Sequence, residues 1–316
     1  MRFSLIHIVP ETTKVPFIKG RFVAMLFSAV LMIASIGAFA TMGLNLGIDF
    51  VGGTLIEIET QEDANLTEIR ESLNGLGFGE VQVQTFGAAN DVLIKMRQQE
   101  PENPEVEMAA ERAQQQAANT VQETLVEMLP GVEFRRVEVV GPAVSGELVR
   151  AGILAVGLAL GAMLIYIWFR FEWQFSLGAV IALTHDVIAT MGMFAVTQFE
   201  FNLASIAAIL TIVGYSMNDT VVVYDRIREN LRKFKRMPLA ELLNLSINQT
   251  LSRTLITSIT TLIALFALFF LGGAVLRGFS FAMIWGVLIG TYSSIFVASP
   301  LLLLTGVKRG TSEQDS

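Results

Sequence analysis

Residues Phe22–Ala40 read FVAMLFSAVLMIASIGAFA, without a charge, and residues Thr54–Thr60 read TLIEIET, with apolar and polar side chains alternating. The change of pattern between these two stretches decides the fold. About 20 mostly apolar residues are needed to cross a bilayer core as a helix, because only a helix satisfies its own backbone polar groups in lipid. A period of two instead marks a half-buried strand. A membrane helix therefore leads directly into a strand-containing domain.

Working outward, Ala151–Phe169 is a second uncharged run, and Trp173–Phe199 and Phe201–Tyr224 each hold a single acid, Asp186 and Asp219. Leu242–Leu276 is uncharged except for Arg253, and Gly278–Val307 has no charge. The sequence thus predicts six spans. Of the 316 residues, 53% are hydrophobic and 16% charged, and the mean hydropathy of +0.56 is too high for a soluble domain. Residues 45–146 hold 18 of the 29 acidic and 6 of the 22 basic side chains, a local balance of −12 against +5 elsewhere. With no basic stripe away from the apolar runs, a nucleic-acid binder is excluded. With no cysteine there is no disulfide, thiolate nucleophile or Cys-based metal site, and no cofactor is expected.

Basic residues on short flanks set the orientation. Arg2, Lys14, Lys19 and Arg21 precede the first span, and Arg170 follows the second. Arg226, Arg228, Arg232, Lys233, Lys235 and Arg236 follow the fourth, and Lys308 and Arg309 follow the sixth. Both termini are therefore expected in the cytoplasm. Ala38-Phe39-Ala40 has the small-x-small form of a cleaved signal, but the apolar run is long for a signal core, so it is read as a retained anchor.

Within the acidic region, Thr54–Thr60, Val81–Phe86, Val92–Met96 and Phe134–Val140 read as strands, with GAAND as the turn between the middle two. Leu66–Leu76 and Glu105–Leu129 read as helices. The order β-α-β-β-α-β is that of a ferredoxin-like fold, a binding or mechanical module with no visible catalytic constellation. The chain divides into a tail (1–21), a first membrane helix (22–41), an extracytoplasmic ferredoxin-like domain (42–147), a five-helix membrane bundle (148–307) with a cytoplasmic loop at 225–250, and a tail (308–316). LGIDFVGGT, with Gly47, Asp49, Gly52 and Gly53, leads into the domain; by spacing alone it reads as a structural turn.

Charges inside spans carry the functional signal, since a lone charge at a span centre costs about 2.5–3.5 kcal/mol and usually faces a bundle interior or a proton path. Thr211, Tyr215 and Asp219 share one helix face, with Asn218 alongside, and Ser246, Gln249, Arg253, Thr257 and Thr260 share another. The two stripes suggest that Asp219 pairs with Arg253. An aspartate alternating between wet and dry surroundings beside a permanently charged arginine would load a proton on one side and release it on the other. Structural readings stand beside these. Arg253 snorkels to the interface, or Asp219, about 9 Å inside Asp225, is a hydrogen-bonding acid. His185 and Asp186 join helices or handle protons. Gly157-xxx-Gly161 and Gly286-xxx-Gly290 read as close helix packing.

Four segments, Gly214–Asn230 (GYSMNDTVVVYDRIREN), Asn248–Ser258 (NQTLSRTLITS), Gly272–Pro300 and Leu46–Thr54, resemble the signature segments of the SecD/SecF protein-export family of the RND superfamily, in its SecF branch. The resemblance covers nearly the whole chain in order. It implies a partner, SecD, in a pseudo-symmetric twelve-span unit at the SecYEG channel, often with YajC, in the bacterial inner membrane. Such a unit uses the proton motive force to draw preproteins across after insertion by SecA. The family's essential intramembrane acid falls on Asp219 and its essential arginine on Arg253. The resemblance raises a functional role for LGIDFVGGT and leaves His185 and Asp186 unassigned. Two other classes remain: an RND-like half-transporter for small molecules or lipids, and a purely structural subunit of a membrane complex.

Overall fold

The computed structural model describes residues 13–79, 81–99 and 109–307. Arg2, Lys308, Arg309 and the expected helical start at Glu105–Met108 lie outside the described residues. The chain forms two compact units, one of residues 46–155 with 200–203 and one of the remaining segments.

The first unit contains a short α2 (Ile48–Val51), β1 (Gly53–Glu59), α3 (Leu66–Asn74), β2 (Val81–Phe86), β3 (Ala88–Met96), α4 (Ala109–Met128) and β4 (Glu133–Val140). The sheet is antiparallel in the order β2-β3-β1-β4, as the ferredoxin-like reading requires. GAAND is not a five-residue turn. Gly87, at a φ of 111°, makes the reversal, and Ala88–Asp91 already belong to β3. Asn65 caps α3 by accepting from the Glu68 amide at 3.4 Å, while Glu68 reaches back to Asn65.

One sheet face packs Ile56, Ile58, Val83, Val92 and Ile94 against Ile69 and Leu73 of α3 and Val121 and Leu125 of α4. β1 was expected to be half-buried but is covered on both faces, because it is a central strand whose other side packs Leu55 with Leu93 and Ile48. Glu57 is consequently buried. Burial raises its carboxyl above the usual range, while Arg136 opposite it on β4, and then Arg135, pull it back. Arg135 is the extra residue of a bulge in β4 and donates from Nε to Glu59 at 3.0 Å.

The second unit is helical. Its spans are α1 (Arg21–Met42), α5 (Pro142–Arg170, whose first turns belong to the sheet unit), α6 (Trp173–Thr197), α7 (Leu203–Lys233), α8 (Leu239–Leu271) and α9 (Gly273–Ser293), the last continued by a π-helical turn (Ser294–Ala298) and α10 (Ser299–Thr305). Among the described residues, six helices are long and apolar enough to cross a membrane, which makes the chain a multi-pass membrane protein.

Two boundaries differ from the sequence reading. The expected loop 225–250 is helical except at 234–238, because α7 continues through RENLRK with Ile227 and Leu231 buried. The fifth span stops at Leu271 rather than Leu276, where Gly272 and Gly273, the latter at a φ of 75°, break the helix. Residues of α6, α7 and α9 form the interior, whereas α1, α5 and α8 turn most of their apolar side chains outward.

Candidate functional site

The interior of the membrane unit depends on close approach. A Cβ at Gly286 would lie 2.2 Å from the Ile212 side chain, and one at Gly290 would lie 3.0 Å from Ser216. These glycines therefore let α9 sit tightly on α7, as their spacing suggests. Gly157 and Gly161 meet nothing within 4 Å among the described residues, so that pair does not pack a helix within this chain.

At this contact the end of α9 and the first residue of the π turn carry the polar run Thr291-Tyr292-Ser293-Ser294, directly after the apolar stretch of residues 281–290. Each of the first three hydroxyls reaches a different helix. Thr291 Oγ1 donates to Oδ2 of the buried Asp219 on α7 at 3.5 Å and bonds Ser258 Oγ of α8 at 2.7 Å. Tyr215, one turn before Asp219, donates to Ser258 at 3.3 Å. The result is a connected path, Tyr215 to Ser258 to Thr291 to Asp219, across three helices. Tyr292 bonds Ser28 Oγ at 2.9 Å and donates to the Ala24 carbonyl at 2.7 Å on α1. Ser293 donates to Oδ2 of Asp186 on α6 at 2.7 Å.

The π turn begins at the last residue of this run, Ser294. Such turns displace backbone carbonyls from regular helical pairing and concentrate at functional sites. Here Tyr224 of α7 donates to the Ala298 carbonyl at 3.1 Å and Ser299 donates to the Ser294 carbonyl at 2.9 Å. Tyr224 reaches that position because residue 178 is glycine; a Cβ there would lie 2.3 Å from its hydroxyl.

Not every expected residue joins Asp219. Arg253 is exposed on α8 and, among the described residues, forms no ion pair with Asp219, although it lies within electrostatic range of it. The direct carboxylate–guanidinium contact expected from the two stripes is therefore absent. Helical periodicity gave the face of each helix but not the rotation of one helix against the other. Gln249 is also elsewhere. Its Oε1 accepts from Asn230 at 2.8 Å, about 16 Å along α7 from Asp219. Thr211 and Thr257 bond the carbonyls of Ala207 and Arg253 on their own helices, and Asn218 is exposed. Tyr215 is the residue of the two stripes that enters the Asp219 network.

His185 and Asp186 come together on α6. Asp186 accepts from His185 Nδ1 at 2.9 Å and from Ser216 of α7 at 2.5 Å in addition to Ser293. Sequence reasoning missed Ser216, Ser258, Thr291 and Ser293. The available signal was the density of hydroxyls at 291–294 in a span that is otherwise Ile, Val, Leu, Ala and Gly-rich.

LGIDFVGGT has a definite geometry inside the sheet unit. Leu46 bridges to Phe201, and the Gly47 amide donates to the Phe201 carbonyl at 2.9 Å. Asp49 Oδ2 accepts from the amide of Leu203, the first residue of α7, at 2.9 Å. A negative side chain satisfying an orphan amide is what a helix start favours. Lys95 forms an ion pair with Glu200 in the same loop. Gly53, at a φ of 128°, allows β1 to begin where a Cβ would lie 2.4 Å from the Met96 carbonyl.

A family profile described as "Protein export membrane protein SecD/SecF, C-terminal" matches residues 120–308, and one described as "SecD/SecF GG Motif" matches residues 37–64. Protein translocase subunit SecF of Cereibacter sphaeroides is 46% identical over 100% of this chain and 97% of its own length. Protein translocase subunit SecDF of Brucella abortus is 44% identical over 96% of this chain, which spans 39% of that longer protein. The crystal structure of SecDF from Thermus thermophilus, described as a translocon-associated membrane protein, superposes with a TM-score of 0.80 at 36% identity. That match covers 94% of this chain and 39% of the SecDF chain.

Proposed function

This chain belongs to the SecD/SecF protein-export family as a subunit of the Sec protein translocase, and we propose that it is the SecF half of a proton-driven export motor whose proton carrier is Asp219. Its SecD-like partner completes the membrane unit, a reading supported by relatives in which both halves form one chain. The pair works beside SecYEG, with YajC, on preproteins inserted by SecA. It lies in the bacterial inner membrane with both termini cytoplasmic and the sheet domain outside. The role is transport, not enzymatic turnover, and it needs no cofactor.

One observation carries this reading: a buried aspartate lies at the end of a chain of three hydroxyls drawn from three helices. Each hydroxyl both donates and accepts, so the chain can reverse its polarity by rotating protons while the heavy atoms stay in place. With Asp219 ionised, Tyr215 donates to Ser258, Ser258 to Thr291 and Thr291 to the carboxylate. When Asp219 takes a proton it becomes a donor to Thr291, and the order runs backwards. The 3.5 Å link at Thr291 is the loosest step, and it tightens or parts as α9 moves against α7. Arg253 is permanently charged and, among the described residues, forms no ion pair with Asp219. A proton crossing 100 mV releases about 2.3 kcal/mol, enough to shift a rocking helix pair between two arrangements.

The test is precursor export by vesicles containing the full complex with Asp219→Asn, with and without an uncoupler. The variant should assemble with its partner yet lose all uncoupler-sensitive stimulation. A wild-type export rate would remove Asp219 from the mechanism.

A further inference from the structure

Asp186 has no exposed surface and His185 is 3% exposed, yet among the described residues no lysine or arginine pairs with either. The hydrogen bonds define the partners of the pair. Oδ2 of Asp186 takes the hydroxyls of Ser216 and Ser293, and Oδ1 faces His185 Nδ1. With Asp186 ionised, its carboxylate offers only lone pairs, and Nδ1 then carries the ring proton. In the neutral ring Nε2 is then a bare acceptor, and Nε2 is a buried atom with no hydrogen-bond partner among the described residues.

With Asp186 ionised, the arrangement holds a net negative charge in the bundle interior beside an unused basic nitrogen. A buried charge without a counter-charge is costly, and one added proton would neutralise it. We propose that His185 and Asp186 form a second proton-binding site, separate from Asp219, with His185 Nε2 as the atom on which the proton lands. Protonation converts the pair into an imidazolium–carboxylate ion pair of zero net charge.

The surroundings contain few other candidates. From α9 the nearest titratable group is Tyr292, whose ring centre lies 6.1 Å from that of His185 and whose hydroxyl is engaged with α1. From α7 it is Asp219, three residues beyond Ser216. α1 brings no titratable residue after Arg21, and the π turn and α10 bring none. The two acids grip the same two helices: Asp186 through Ser216 and Ser293, Asp219 by its place on α7 and through Thr291. A proton at either site therefore changes the bonds by which α9 is held to α7.

His7 is the other histidine in the sequence, so His7→Gln leaves a single imidazole. The test is solid-state NMR of that full-length variant, 15N-labelled at the ring and reconstituted with its partner in liposomes, between about pH 5 and pH 9. The Nε2 resonance should pass from the bare to the protonated position within that range. The same transition should persist in Asp219→Asn and move its midpoint by at least one pH unit in Asp186→Asn. An Nε2 resonance fixed in one state across the range overturns the proposal, as does a midpoint that ignores Asp186→Asn. Neither result touches the assignment of Asp219, which rests on export and not on this spectrum.

Discussion

The sheet unit and the membrane unit both bury apolar side chains but differ in what they leave exposed and in the polar groups they enclose. In the first, Ile56, Ile58, Ile94 and Leu125 are fully enclosed, and the enclosed polar group Gln114 is tied to Thr54 and to the Gln99 amide. In the second, His185, Asp186, Ser216, Asp219 and Ser293 are enclosed, while Phe169 and Leu271 are each 85% exposed. Both obey one rule under two solvents. Water drives apolar groups inward, whereas lipid leaves them outside at no cost and makes every inward polar group a matter of pairing. The membrane interior is therefore where chemistry concentrates, and the sheet interior is where stability does.

Truncating the sheet core gives the largest expected effect. Ile56→Ala should destabilise the sheet unit by about 2–5 kcal/mol, through lost transfer energy and the cavity left between β1 and the two helices. Amide hydrogen exchange of β1 and β3 in the intact chain would report it as a collapse of protection. Protection that survives unchanged would break the contrast, because it would mean that this core is not what holds the sheet. Gln114→Ala comes next, at about 1–3 kcal/mol by the same measurement, since it strands the Thr54 hydroxyl and the Gln99 amide. A cost near zero would show that water reaches this spot and that the sheet interior is wetter than its packing implies.

The apolar runs and the β-α-β-β-α-β order were legible in the sequence because each rests on a local period. The hydroxyl path was not. Many serines and threonines in these spans, such as Thr184, Thr197, Thr211 and Thr257, bond the carbonyl four residues back on their own helix. Thr291 and Ser293 look the same in sequence but bond across helices. Only the approach allowed by Gly286 and Gly290 separates the two classes. Arg253 and Gln249 show the same limit: a shared face says where a side chain starts, not which helix it meets. Asp49 was visible as part of a glycine-rich turn, but its partner, the Leu203 amide, lies 154 residues away.

That distant contact supplies a third, smaller effect at the edge of the sheet unit. Asp49→Ala removes the acceptor at the start of α7 and should cost about 1 kcal/mol, the usual value of a helix-start cap. Faster exchange of the Leu203 amide, with β1 protection unchanged, is the expected pattern. If β1 loosened as well, Asp49 would be holding the sheet and not only the helix start.

The smallest effect sharpens the comparison most, because it repeats the first substitution in the other solvent. Ile33 lies in the middle of α1 and is 72% exposed, whereas Ile56 is fully buried. Ile33→Ala removes the same atoms, but lipid tails are as apolar as the side chain they would replace, so no hydrophobic driving force is lost. Thermal unfolding of the complex in liposomes should shift by less than about 0.5 kcal/mol equivalent. A loss as large as that of Ile56→Ala would mean that protein, not lipid, covers this face of α1. The outward apolar surface of the membrane unit would then have to be redrawn as an interface, beginning with the residues that flank Ile33 on the same face, Val30 and Ile36.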